Sequence, residues 1–158
     1  MEVRGQHRFT AGRAAVWEAL LDPAALRAAL PGCETFAEVA PDTYDVTLSV
    51  GIAAFKGVYS GRVRVEQRQP RDSYHLAVEG TGRPGRVQGG AVLSLRDDGG
   101  ATIVEYAGEV KVQGTLARLG SRIAVGAARL LASQFFKAME PHVADRVGRE
   151  QETESIHG

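Results

Sequence analysis

Only one stretch of this chain, TLARLGSRIAVGAARLLASQFFKAM at residues 115–139, reads as a long helix, and residues 33–112 before it read as strand after strand. A strongly twisted antiparallel sheet of that size wraps, and its apolar face must be covered by another element. At 1.5 Å per residue the helical stretch spans roughly 37 Å, about the width of such a sheet. The pattern predicts one helix laid on one curved sheet. That arrangement is more often a container than a reaction centre.

The alternation runs through most of the chain. Val3, His7 and Phe9 fall on one side of a first strand, with Glu2, Arg4, Gln6 and Arg8 on the other. Thr10 is placed to cap a short helix with an apolar face of Val16, Trp17, Leu20 and Leu21, which Asp22-Pro23 stops. A second short helix runs to Leu30 and ends at Pro31-Gly32. Then Tyr44, Val46, Leu48 and Val50 share one strand face, as do Val63 and Val65, Tyr74, Leu76 and Val78, Ala91, Leu93 and Leu95, and Val104, Tyr106, Val110 and Val112. Pro41-Asp42, Pro70-Arg71-Asp72, Gly82-Arg83-Pro84-Gly85 and Asp97-Asp98-Gly99-Gly100 carry the turn chemistry between them. The predicted fold class is α+β. It has a curved antiparallel sheet of about six to seven strands around a long C-terminal helix, with two short helices after strand one. Residues 1–147 are expected as a single domain, Pro141 should end or kink the helix, and residues 148–158 read as a polar, disordered tail.

Helical spacing puts Leu116, Leu119, Ile123, Leu130 and Gln134 on one face, with the small Gly126 and Ala127 among them. If that face meets the concave side of the sheet, the expected lining of a pocket is Tyr44, Val46, Leu48, Tyr59, Val63, Leu76, Leu93, Tyr106, Leu119, Ile123 and Leu130, with Phe55 and Val87 near a mouth. If the strand parity holds, Tyr44, Tyr59, Tyr74 and Tyr106 turn to the same side, where four phenols would give an oily pocket its polar handles; the alternative, favoured for any single tyrosine, is a hydroxyl that reaches the sheet edge.

Several function classes find no support. Nineteen basic and 19 acidic residues cancel, so no overall field favours nucleic acid. Cys33 is the single cysteine and is read as packing. His7, His75, His142 and His157 lack a second ligand at metal-binding spacing, so no metal site is expected. GTGRPGRVQGG at 80–90 lacks the Lys-Ser/Thr of a phosphate loop and reads as a hairpin, or as a rim where Arg83 or Arg86 meets a polar head. Glu105 and Glu109 share the wet face, a poor place for an acid/base pair. No catalytic residue is expected. The N-terminus has no apolar run of a secretory signal and nothing approaches a bilayer span, so a cytoplasmic protein is expected.

ALLDPAALRAALPGCE at 19–34 resembles the CoxG-like family of carbon monoxide dehydrogenase subunits, a branch of the START/Bet v 1-like (SRPBCC) superfamily. RPGRVQGGAVLSL at 83–95, EYAGEVKVQGTLARLG at 105–120 and SQFFKAM at 133–139 resemble it as well. The resemblance implies a helix-grip fold with a cavity between sheet and helix. It implies a non-enzymatic accessory role beside a molybdenum hydroxylase-type carbon monoxide dehydrogenase. It also implies no tightly bound cofactor but a lipophilic ligand such as a quinone, and at most peripheral contact with the inner face of the membrane. The alternatives are a polyketide cyclase or aromatase-like enzyme, which requires a convergent polar cluster, and a protein-interaction subunit with a solid interior.

Overall fold

In the computed structural model, which describes residues 1–157 and side chains through Arg149, the chain begins at one edge of a sheet and reappears at the other. Strand β1 (Glu2–Phe9) is followed by helices α1 (Arg13–Leu20) and α2 (Pro23–Ala29), then β2 (Cys33–Ala40) and β3 (Thr43–Val50). A 3-10 turn at Ala53–Phe55 leads into β4 (Gly57–Gln69), β5 (Ser73–Gly82), β6 (Gly85–Asp98) and β7 (Ala101–Gln113). A second 3-10 turn, Gly114–Leu119, precedes α3 (Ser121–His157). The seven strands lie in the order β1-β7-β6-β5-β4-β3-β2, every neighbour antiparallel. Helices α1 and α2 therefore carry the chain from one edge to the other and close one end of the curl. This is the curved antiparallel sheet with a long C-terminal helix that the strand pattern predicts, in the helix-grip arrangement that the resemblance implies.

The turns fall where glycine, proline and aspartate place them. Asp42 and Arg71 take left-handed backbone angles (φ 55° and 64°) at their hairpins. The β5–β6 hairpin is tight, with pairing unbroken to Gly82 opposite Gly85, so most of the glycine-rich 80–90 segment is strand and only Arg83-Pro84 forms a tip. One cap differs from expectation. The first residue of α1 is preceded by Gly12, with no side-chain cap, so Thr10 does not serve; Asp22 does cap α2, accepting from the Ala24 amide at 3.1 Å.

The long helix differs at both ends. Residues 114–119 form a 3-10 turn, and Gly120, at φ 83°, breaks the chain direction before α3 starts. Leu116 and Leu119 thus belong to a separate element. At the other end α3 runs through Pro141 to His157, so the expected stop is absent and the segment 148–157 is helical. Proline inside a helix costs about 3 kcal/mol. Here Pro141 is solvent-exposed, while Met139 and Val143 on either side are buried, and their burial holds the helix on. Arg146 adds an ion pair to Asp22 (2.7 Å), tying α3 to the α1–α2 junction.

The core has two parts. The larger packs α1, α2 and the middle of α3 against the sheet through Phe9, Val16, Leu20, Tyr74, Leu95, Val104, Phe136 and Met139. A smaller cluster of Phe55, Tyr59, Leu116, Ala124 and Ala127 sits at the 3-10 turns.

Candidate functional site: an apolar cavity under the long helix

Helix α3 rests on α1, α2 and β1. The far half of the curled sheet stands away from it, and the space between is a cavity of about 430 Å³, within the range of small-molecule pockets. Tyr44, Val46, Leu48, Tyr59, Val63, Leu76, Leu93 and Tyr106 line it from the strands, with Val87 near the β5–β6 hairpin and Phe55 on the 3-10 turn. Tyr74 lines it too, so all four phenol rings face inward.

The helix face is where expectation and structure part. Ile123 and Leu130 point away from the sheet, 54% and 46% exposed, and Leu119 packs in the smaller cluster without lining the cavity. Gly126 is also outward, with open space where a Cβ would be. The inward face is Ala124, Ala127, Ala128, Leu131, Ala132, Phe135 and Phe136. The cause is Gly120: a heptad count begun at Leu116 and Leu119 crosses a break in the helix, and the phase resets there. Phe135-Phe136, next to one another in SQFFKAM, were the signal that could have fixed the phase.

The cavity owes its room to small residues on both walls. Gly61, Gly80, Gly89 and Gly108 occupy inward positions on β4 to β7, facing the alanines of α3. Three of these glycines also let strands close tightly on one another: a Cβ at Gly61 would lie 1.8 Å from the Glu79 carbonyl oxygen, one at Gly108 2.2 Å from that of Gly90, and one at Gly89 2.8 Å from that of Glu109. Gly80 differs, since a Cβ there meets nothing nearer than 3.9 Å and would project into empty space.

Burial falls in the same direction along most of the wall strands, although Tyr59, at the far end of β4, is buried against the 3-10 turn. Tyr44 and Val46 are buried and Leu48 and Val50 partly exposed; Val65 is buried and Val63 partly exposed; Tyr74 is buried and Val78 is 38% exposed; Leu93 is buried and Val87 partly exposed. The dry end is the one closed by Leu20, Leu26 and Leu30 of the α1–α2 segment. The wet end, bordered by the 3-10 turns and the β5–β6 hairpin, is the mouth.

Polar groups at the walls are few. The Tyr59 hydroxyl donates to the Phe55 carbonyl oxygen at 2.8 Å and pins the 3-10 turn beside the mouth. Tyr106 stacks on Phe136 (5.9 Å between centroids), Tyr44 on Phe36 (4.8 Å), and Trp17 meets Tyr74 edge-on (5.7 Å). Burial raises the pKa of Tyr59 and Tyr74. Tyr44 is raised by burial and then by the Glu38 and Asp42 carboxylates nearby. All three phenols stay protonated at neutral pH. Asp22, outside the cavity, moves the other way: burial disfavours its charge, but the Arg146 and Ala24 hydrogen bonds outweigh that and lower its pKa.

Glu79, Glu109 and Arg62 touch the cavity at its glycine positions, yet all three are exposed residues at outward parity. Glu105 is likewise exposed and pairs with Arg96 at 2.9 Å. The side chains turned inward are hydrocarbon, aromatic ring and phenol. Such a surface can enclose a lipophilic molecule and hydrogen-bond it, and an empty volume of this size does not fit a protein with a solid interior. Among the described residues no three His, Cys, Asp or Glu gather as metal ligands. No helix among them is long and apolar enough to cross a membrane.

Comparison with known proteins gives the arrangement relatives. The sequence profile of the CoxG family of carbon monoxide dehydrogenase subunits matches residues 5–144. Among solved structures, a conserved protein from Geobacillus kaustophilus is 32% identical, with a TM-score of 0.87 over 92% of this chain and 96% of that one. A START superfamily protein from Mycobacterium smegmatis is 14% identical, with a TM-score of 0.69 over 91% and 97% of the two chains. A protein from Rhizobium leguminosarum is 13% identical, with a TM-score of 0.68 over 92% and 95%. The last two likenesses speak for the fold alone. Among curated proteins, none matches the chain.

Proposed function

Since the chain belongs to the CoxG family of carbon monoxide dehydrogenase subunits, we propose that it is a non-enzymatic accessory protein of a molybdenum carbon monoxide dehydrogenase-type enzyme, and that it holds a lipophilic molecule, a quinone, under α3. The observation that carries this reading is the cavity of about 430 Å³, walled almost wholly by hydrocarbon and opening at one end. A space of that size takes a ring and the first part of an isoprenoid chain, and the remainder leaves through the mouth.

A quinone dissolves in bilayers, so its carrier needs a way to reach one. Residues 110–139 hold Lys111, Arg118, Arg122, Arg129 and Lys137 and no acidic residue, in a chain whose total charge is zero. With Lys56 and Arg83 beside the mouth, these cations make no ion pair among the described residues. The exposed Ile123 and Leu130 stand among them on α3. This combination of unpaired cations and exposed apolar side chains suits peripheral contact with an anionic bilayer.

The test is native mass spectrometry of protein purified from its own host, followed by organic extraction. A released quinone, or uptake of added menaquinone or ubiquinone at one per chain, supports the carrier reading. Ligand-free protein that refuses both quinones sinks it, and capture of the partner enzyme then becomes the informative experiment.

A further inference from the structure

The most buried phenols of the cavity wall, Tyr44, Tyr59 and Tyr74, divide by what their hydroxyls meet, while the Tyr106 hydroxyl lies over Gly5 of β1. Tyr59, near the mouth, donates to a backbone carbonyl oxygen. Tyr44 and Tyr74 line the dry end, 2% and 3% exposed, and neither hydroxyl has a hydrogen-bond partner among the described residues. Buried phenols usually find a partner, because a buried donor left unmade is costly. No side-chain oxygen among the described residues is both sealed off and unpartnered, so each hydroxyl keeps a sliver of accessible surface. Both residues stand on the cavity wall, so a molecule in the cavity is placed to supply the missing acceptor. The rings are held before any ligand arrives, Tyr44 by its stack on Phe36 and Tyr74 by the edge of Trp17.

We infer that the ligand enters with its hydrogen-bond-accepting end first, that neutral carbonyl or ether oxygens on that end accept from Tyr44 and Tyr74, and that its hydrocarbon part lies between the glycine-lined strands and the alanines of α3. The inference rests on the carrier reading and narrows it to an amphiphile with a neutral accepting head. Burial keeps both phenols in the donor form. Near Tyr44 the Glu38, Asp42 and Asp22 carboxylates oppose an anionic head, and the Arg68 cation, paired with Asp42, offsets part of that. The wide, small-residue middle of the cavity asks nothing of the tail but width.

The experiment compares two probes on the full chain. Decylubiquinone carries carbonyl acceptors; diphenylhexatriene is a hydrocarbon with none. The Tyr44→Phe/Tyr74→Phe double variant should bind decylubiquinone about tenfold more weakly, as expected for two lost hydrogen bonds, and bind diphenylhexatriene within about twofold of the parent chain. Equal losses for both probes, or an unchanged quinone affinity, overturn the head-first arrangement. If the double variant does not fold, Tyr44→Phe alone must weaken the quinone and spare the hydrocarbon, and a failure to do so has the same force. A parent chain that takes up neither probe defeats the carrier reading itself. One that takes up the hydrocarbon at least as well as the quinone leaves a container and removes the head-first inference.

Discussion

The two ends of the cavity are built from the same strands but held by different means. At the dry end α1, α2 and the middle of α3 converge, and Leu20, Val16, Val104 and Met139 are wholly buried. At the mouth two 3-10 turns and a two-residue hairpin meet around Leu116, whose amide donates to the Pro84 carbonyl oxygen at 3.1 Å. One end is a core that happens to have a hollow beside it; the other is a set of short loops pinned by single contacts. The larger buried core and the short loops thereby lie at opposite ends of one sheet, where local opening of the loops does not require the larger core to open.

The contrast breaks most readily at the tightest contacts. Met139→Ala at the dry end should lower the unfolding free energy by about 3 kcal/mol, read from urea denaturation, whereas Phe55→Ala at the mouth should cost clearly less; equal losses would mean that the ends are not separate. Within the wall itself, Gly61→Ala forces a Cβ onto a neighbouring backbone and should cost about 2–3 kcal/mol. Gly80→Ala, projecting into open space, should stay within about 0.5 kcal/mol of the parent, and the pair measured side by side reports where the wall is tight and where it borders the hollow.

Two pH limbs sharpen the comparison. The Asp22 carboxyl has a lowered pKa when folded, so its stabilisation is present above the usual carboxylate range and fades as pH falls toward the folded value. Asp22→Asn should flatten the acid limb. Tyr74 has a raised pKa when folded, so its contribution is complete below the ordinary tyrosine pKa of about 10 and is lost as pH climbs beyond it, while the unfolded chain ionises first. Tyr74→Phe should reduce alkaline unfolding, followed by circular dichroism against pH. The smallest change is expected outside the cavity: Ile123→Ser and Leu130→Ser should shift stability by no more than about 0.5 kcal/mol, where lining residues would cost several times that.

What could be read from the sequence follows from which periodicities were unbroken. Strands alternate with a period of two, and the inward set from Tyr44 to Tyr106 runs on through the pairing register with only local irregularities near Thr35, Glu38 and Gln67. Their parity was therefore legible, and with it most of the cavity wall. The helix face was not. Leucines at 116 and 119 look like the start of α3 because apolar spacing does not register a glycine that turns the backbone, and Gly120 does so between them and Ile123. Proline rules gave the wrong end for the same kind of reason, since the burial of Met139 and Val143 is a tertiary term that no local preference at Pro141 contains. The glycines at inward parity were visible as residues but not as space, because width between two walls depends on both.

The pairing of β1 with β7, Glu2 opposite Glu109 and Phe9 opposite Thr102, has a consequence during synthesis. The first strand made leaves the ribosome without its neighbour and must wait for almost the whole sheet, and α3, which roofs the hollow, is made after that. Closure of the hollow is therefore a late step of folding, set by the long sequence separation between β1 and β7 and by the position of α3 after both.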